Sequence, residues 1–214
     1  MFNGREYLIS HAKFLKLDLP IPFEEMLEEA KSLRSKFIQY RESPEWYSLP
    51  IVGLSSTQPY SWEVYNYTTA HEAAERMTWT EIADLCPVTT SWLKTCYPSS
   101  QYGRVRFMLL EAGGTIPYHV DTKYSVLGAV NIALNNPDGC KWHWRDGDSL
   151  QFKPGDVRLM NISYEHSIRN ESNEDRYHLI IHHYDSTPAW KELVLNAMKE
   201  QNVQGDFHYS TELF

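Results

Sequence analysis

Between Val105 and Tyr184 the chain is broken so often by turn-forming residues that no long helix fits. The breaks are Gly113-Gly114, Asn135-Asn136-Pro137-Asp138-Gly139, Asp146-Gly147-Asp148 and Lys153-Pro154-Gly155-Asp156, each rich in the residues that tight turns require. Strand-like runs lie between them: Val105 to Leu110, Ile116 to His119, Tyr124 to Leu134, Lys141 to Arg145, Ser149 to Phe152, Val157 to Asn161 and Arg176 to Tyr184. The pair around Asp146-Gly147-Asp148 reads as a hairpin. Many short strands with Gly/Pro turns fold as a sandwich or barrel, so the expected class is mainly β.

The flanks differ. Pro22 opens a predicted helix to about Tyr40, with Met26, Ala30, Leu33 and Phe37 as its apolar stripe and early glutamates at the positive end of its dipole. Trp46 to Leu54 reads as a short strand, Thr69 to Met77 and Trp79 to Leu85 as helical, and the stretch punctuated by Pro87 and Pro98 stays unassigned. At the other end Pro188 starts a helix striped with Trp190, Leu193, Val194, Ala197 and Met198, and residues 205–214 read as a tail or flap. No repeat or linker divides the 214 residues. The expectation is a single domain over 1–214, with a helical or mixed part at 1–100, a β core at 104–185 and a C-terminal helix at 187–204.

Twenty basic against 28 acidic residues give a net charge of −8, which gives a nucleic-acid partner no electrostatic support. No apolar run reaches the length of a membrane span and the first residues lack a signal-peptide core, so no membrane partner and a cytoplasmic location are expected. Cys86, Cys96 and Cys140 are odd in number and form no CxxC pair, which predicts reduced, structural thiols.

Within the β region, His119-Val120-Asp121 puts an imidazole and a carboxylate on one face of an extended strand, because side chains alternate. His166, from a neighbouring strand, completes two histidines and one carboxylate. That ligand set leaves coordination positions open and suits non-haem Fe(II) used with O₂. Arg176, ten residues on, brings a guanidinium fork for a carboxylate toward the same cavity. His178 shares the face of Arg176 and either lines that pocket or sits satisfied in the core. His182 and His183 are adjacent, so they face opposite ways and do not join one site. Trp142-His143-Trp144 offers cross-strand packing or substrate stacking. Arg104, Arg106 and Arg158 either meet an acidic substrate or lie on a solvated face.

These residues carry a resemblance. Gly155-Asp156, Asn161, His166, Asn170, Arg176, His178-Leu179-Ile180 and Asp185, with Trp46-Tyr47-Ser48-Leu49 and Gly113 to His119 upstream, resemble the aspartyl/asparaginyl β-hydroxylase family of Fe(II)/2-oxoglutarate-dependent dioxygenases, related to bacterial proline hydroxylases. The resemblance spans Pro44 to Asp185. It implies a double-stranded β-helix, jelly-roll or cupin-like, with the terminal helices against its outside. It implies His119, Asp121 and His166 as metal ligands and Arg176 as the anchor of the far carboxylate of 2-oxoglutarate, with His178 and Asn131 at the cosubstrate. It also implies hydroxylation of an unactivated C–H bond of a small-molecule or peptidyl substrate, with succinate and CO₂ as co-products. Asp121 keeps the carboxylate that the animal members lack. A family arginine and histidine correspond to Ala129 and Asn131, leaving Asn131 either to donate an amide hydrogen bond or to serve as an inward structural residue. A cupin-like barrel that binds a metal or ligand without oxygenase activity is the alternative.

Overall fold

The computed structural model describes residues 5–41, 43–58, 73, 76–121, 126–184 and 187–210. Two strands, β1 (Arg5–Ile9) and β2 (Phe14–Leu17), precede the first helix. Each is short, and β2 is fixed by a partner over a hundred residues away, with Leu15 opposite Leu159. The first helix, α1 (Phe23–Ser32), buries Met26 and Ala30 but stops eight residues before Tyr40. A 3₁₀ turn (Arg34–Lys36) and β3 (Ile38–Gln39) follow, because Ile38 and Gln39 gain sheet partners in Ser48 and Tyr47 of β4 (Trp46–Gly53). Pairing in the tertiary structure outweighs helix propensity there.

The helix expected over Thr69 to Met77 falls almost wholly outside the described residues. The one expected over Trp79 to Leu85 is a short strand, β5 (Thr78–Trp79), and a 3₁₀ segment (Glu81–Leu85). The unassigned stretch contains α2 (Pro87–Thr95). Pro87 begins this helix rather than breaking it, and the carboxylate of Glu29 on α1 accepts hydrogen bonds from Val88 N and Thr89 N at its amino end. A long-range cap of this kind leaves no local sequence signal.

The β region follows the expected order: β6 (Tyr102–Leu110), β7 (Thr115–His119), β8 (Val126–Ala133), β9 (Cys140–Trp144), β10 (Ser149–Leu150), β11 (Val157–Asn161), β12 (His166–Asn170) and β13 (Arg176–His183). Helix α3 (Pro188–Glu200) is capped by Thr187, whose Oγ1 accepts from Trp190 N. The last described segment is a strand, β14 (Asp206–Ser210), paired antiparallel with β1. It is therefore part of a sheet and not a free tail.

Strands β6, β13, β8 and β11 lie side by side in the large sheet, and β7, β12, β9 and β10 form the small one. The chain thus winds back and forth between two antiparallel sheets, which is the double-stranded β-helix. Gly155, in the turn before β11, has φ +81° and Phe23 within 3.0 Å of where a Cβ would lie. Only glycine holds that corner without strain.

The large sheet has two contrasting faces. Val105, Phe107, Leu109, Val130, Ile132, Leu179 and Ile181 point outward into one apolar cluster with Met26, Trp92, Leu93, Trp190 and Val194 from the helices. Full burial of one such side chain contributes roughly 1.5–3 kcal/mol. The inward residues form a second cluster between the sheets, including Trp46, Met108, Leu110, Trp142, Trp144, Phe152 and Ile168. Polar groups are embedded in that second layer.

Candidate metal centre

β7 ends at His119 directly opposite His166, the first residue of β12, and the pairing register shifts immediately beyond. Asp121 lies two residues past the end of β7 rather than on the strand, held by its N–H to Ile162 O at 3.0 Å. The three side chains still meet, with their ligand atoms within 4.8 Å of one another.

Hydrogen bonding fixes what those atoms offer. His119 Nδ1 is 2.8 Å from Pro117 O, and His166 Nδ1 is 2.8 Å from Tyr164 O. A carbonyl can only accept, so both protons sit on Nδ1 and both Nε2 atoms carry lone pairs. Those Nε2 atoms lie 3.7 and 3.8 Å from Asp121 Oδ2. Three acceptors facing one another, with no donor between them among the described residues, are arranged for a cation. Such outer partners orient metal-binding imidazoles generally. Burial first, and neighbouring His119 second, push the basicity of His166 below the ordinary histidine value.

Aromatic walls hold the ligands. The Trp142 ring stacks on His166 at 4.4 Å, and Trp46 packs against His119 at 6.2 Å. His166 is buried while Asp121 is 32 % exposed, so the centre opens toward solvent at Asp121. Arg41 Nη2 stands 3.7 Å from Asp121 Oδ1 on that side.

Arg176 and His178 project from β13 into the chamber between the sheets, both fully enclosed. Arg176 Nη2 donates to His178 Nδ1 at 2.8 Å, which leaves the His178 proton on Nε2. Burial, then the charge of Arg176, hold His178 well below the ordinary histidine value and therefore neutral. Two N–H donors, Arg176 Nε and His178 Nε2, have no partner among the described residues. Asn131 is buried and its Oδ1 is likewise unpartnered. Buried orphans of this kind each call for a ligand, water or ion.

Other expected residues divide. Arg106 is buried in the chamber rather than on a solvated face. Arg158 is half-buried and paired with Asp156 at 2.9 Å, beneath the rings of Phe14 and Phe152, which is a structural clamp. His183 turns to the outer side and meets Tyr97 Oη at 2.8 Å. Cys86 and Cys140 are buried as expected, but Cys96 is exposed. Sequence reasoning missed Tyr40, placed at the end of a helix that does not extend so far. Its phenol lies beside Arg106, hydrogen-bonded to it. Burial would raise its pKa, but Arg106, Arg104 and Arg41 together bring it down to about 7.

The family model for aspartyl/asparaginyl beta-hydroxylase matches residues 23–186, a span that contains strands β3 to β13 and the centre. The chain belongs to the aspartyl/asparaginyl beta-hydroxylase family. It is thereby an enzyme, a 2-oxoglutarate-dependent hydroxylase. Comparison with curated proteins finds no match. Among solved structures, a 2OG-Fe(II) oxygenase family oxidoreductase from Burkholderia pseudomallei is 14 % identical over 74 % of this chain and 77 % of its own, with a TM-score of 0.47. A Pseudomonas putida prolyl-4-hydroxylase is 12 % identical, covering 82 % and 95 %, with a TM-score of 0.45. A Trichoplax adhaerens prolyl hydroxylase, solved with a hypoxia inducible factor peptide fragment, is 12 % identical, covering 86 % and 87 %, with a TM-score of 0.47.

Several residues that carry the family resemblance turn out to be architectural. Asn161 Nδ2 donates to Ser10 O and Ala12 O, pinning the β1–β2 turn. Asn170 Nδ2 donates to Leu110 O, Glu111 O and Glu174 O, joining two loops. Asp156 accepts from Lys153 N and from Arg158. Among the described residues no helix is long and apolar enough to cross a membrane.

Proposed function

We propose that this hydroxylase uses Fe(II), 2-oxoglutarate and O₂ to hydroxylate an unactivated C–H bond, releasing succinate and CO₂. His119 Nε2, Asp121 and His166 Nε2 would hold the metal, and Arg176 with His178 the far carboxylate of 2-oxoglutarate. Iron and cosubstrate together would supply the oxidising power that amino-acid side chains lack.

The protein's own part is placement and dryness. Pro117 O and Tyr164 O keep the imidazoles in the tautomer that presents Nε2, and Trp142 and Trp46 limit their rotation. Among the described residues Arg176 is a buried cation with no carboxylate beside it, and burial is the leading influence on its pKa, pressing it down. An effective desolvation penalty of several kcal/mol per ion is expected for such a group, and an incoming carboxylate offsets it. The single observation carrying this reading is the complementarity of two sets of groups bordering one inner layer, where Trp142 meets His166 and Phe152 meets His178. Three ligand atoms lie within 4.8 Å of one another, and two enclosed N–H groups have no acceptor among the described residues. A metal barrel without oxygenase chemistry has no use for the second set.

The test is 2-oxoglutarate turnover with Fe(II) in air, followed as succinate. The parent forms succinate, and a folded His166→Ala variant does not. A parent that binds the metal yet leaves 2-oxoglutarate intact under a broad substrate panel contradicts the proposal.

A further inference from the structure

The chamber holds a second guanidinium that the cosubstrate, as placed above, leaves unmatched. Arg106 on β6 stands opposite Ile180 of β13, and Ile180 pairs on its other side with Asn131 of β8. Arg106 and Asn131 therefore share one rung of the inner face. Arg106 is 5 % exposed, and its Nε and Nη1 have no hydrogen-bond partner among the described residues. The guanidinium lies 4.9 Å from the centre of the Tyr40 ring, and the phenol occupies only part of its donor capacity.

Position separates Arg106 from Arg176. Arg176 is four residues before Ile180, so the two arginine rungs are roughly 13 Å apart along the strand at about 3.3 Å per residue. The Tyr40 ring lies 4.9 Å from the Arg106 guanidinium and 5.4 Å from that of Arg41, whose Nη2 stands 3.7 Å from Asp121 Oδ1. Arg106 thus belongs to the metal end of the chamber. Arg158, on the same rung through its pairing with Asn131, already has its own carboxylate in Asp156. Arg106 has none within ion-pair distance among the described residues. A buried cation with no carboxylate and two partnerless donor atoms among the described residues calls for an anion from outside the chain.

We propose that Arg106, supported by Tyr40, receives a carboxylate of the substrate, and that the hydroxylated molecule is a small organic acid held across the His119–Asp121–His166 face. This rests on the oxygenase reading above. A small acid is favoured over a polymer segment because Arg106 is almost wholly enclosed, so its partner must enter the chamber.

The experiment uses the full chain loaded with Mn(II) and 2-oxoglutarate without oxygen, and measures binding of the standard L-amino acids, each as the free acid and as its carboxamide. One or more free acids should bind while the matching amides bind at least about 30-fold more weakly, as expected when one partner of a buried charge pair is removed. Arg106→Met should lose the acid preference and Arg106→Lys recover part of it. Affinity for 2-oxoglutarate should stay within a few-fold in both variants, which also shows that they fold. Acids and amides binding alike, no acid binding at all, or Arg106→Met retaining the preference would each overturn the assignment. So would a fall in 2-oxoglutarate affinity, which would give Arg106 to the cosubstrate. If the parent itself does not bind 2-oxoglutarate, the oxygenase reading fails first, and that result is distinct from the others.

Discussion

The two faces of the large sheet are made by alternate residues of the same strands, yet they are built on opposite terms. Along β6, Val105, Phe107 and Leu109 face the helices while Arg106 and Met108 face the chamber; along β13, Tyr177, Leu179 and Ile181 oppose Arg176 and His178. The outer face is apolar and closed. The inner face keeps buried cations and donors without partners. The outer layer supplies stability from which the inner layer's unmatched groups are sustained, so substitutions on the two faces should fail in different assays.

The largest contrast is between Phe107 and Arg176. Phe107→Ala should cost about 3–5 kcal/mol of folding stability by opening a cavity in the closed layer. In the ligand-free protein, Arg176→Met should leave stability unchanged or raise it, because an unpaired buried charge is removed. Chemical denaturation midpoints of the two variants read this directly, and equal losses would erase the distinction between the faces. Next in size, His166→Ala should weaken Mn(II) binding at least about 100-fold, since loss of even an outer partner of a metal ligand costs 10–100-fold, while its denaturation midpoint moves far less than that of Phe107→Ala. Equilibrium dialysis against Mn(II) checks it.

A smaller effect concerns acid. His178 is held neutral in the folded protein, by burial first and by Arg176 second, whereas the unfolded chain takes up the proton near pH 6.5. The unfolded state therefore binds more protons in acid. The stability is fully present above about pH 6.5 and falls below it by up to about 1.4 kcal/mol per pH unit. In His178→Gln the slope should drop by one proton's worth. Parallel pH–stability curves for parent and variant would show that His178 is not buried as a neutral group.

The β core was legible because its turns are written locally: Asn135 to Gly139, Asp146-Gly147-Asp148 and Gly155 each fix a corner by their own chemistry. Pairing alternation with those corners brought His119, Asp121 and His166 together in outline, although Asp121 is placed by Ile162 O rather than by its strand. The illegible parts depend on distant partners. β1, β2 and β14 are strands only because other strands accept them, and α2 begins where Glu29 of another helix caps it. Arg106 could not be separated from Arg104 by sequence, since alternation gives both to one face and only Arg106 is buried there, between β4 and β13.

The most direct test of the account is the affinity of Mn(II)-loaded protein for 2-oxoglutarate, measured without oxygen in parent, Arg176→Lys and Arg176→Met. Truncating one side of a buried charge pair costs about 2–5 kcal/mol, so Arg176→Met should bind roughly 30-fold to several thousand-fold more weakly. Arg176→Lys should recover only part of the loss, because one ammonium cannot reproduce the fork, and Mn(II) affinity should hold in all three. Unchanged 2-oxoglutarate affinity in Arg176→Met would contradict the assignment of the inner face as the cosubstrate site.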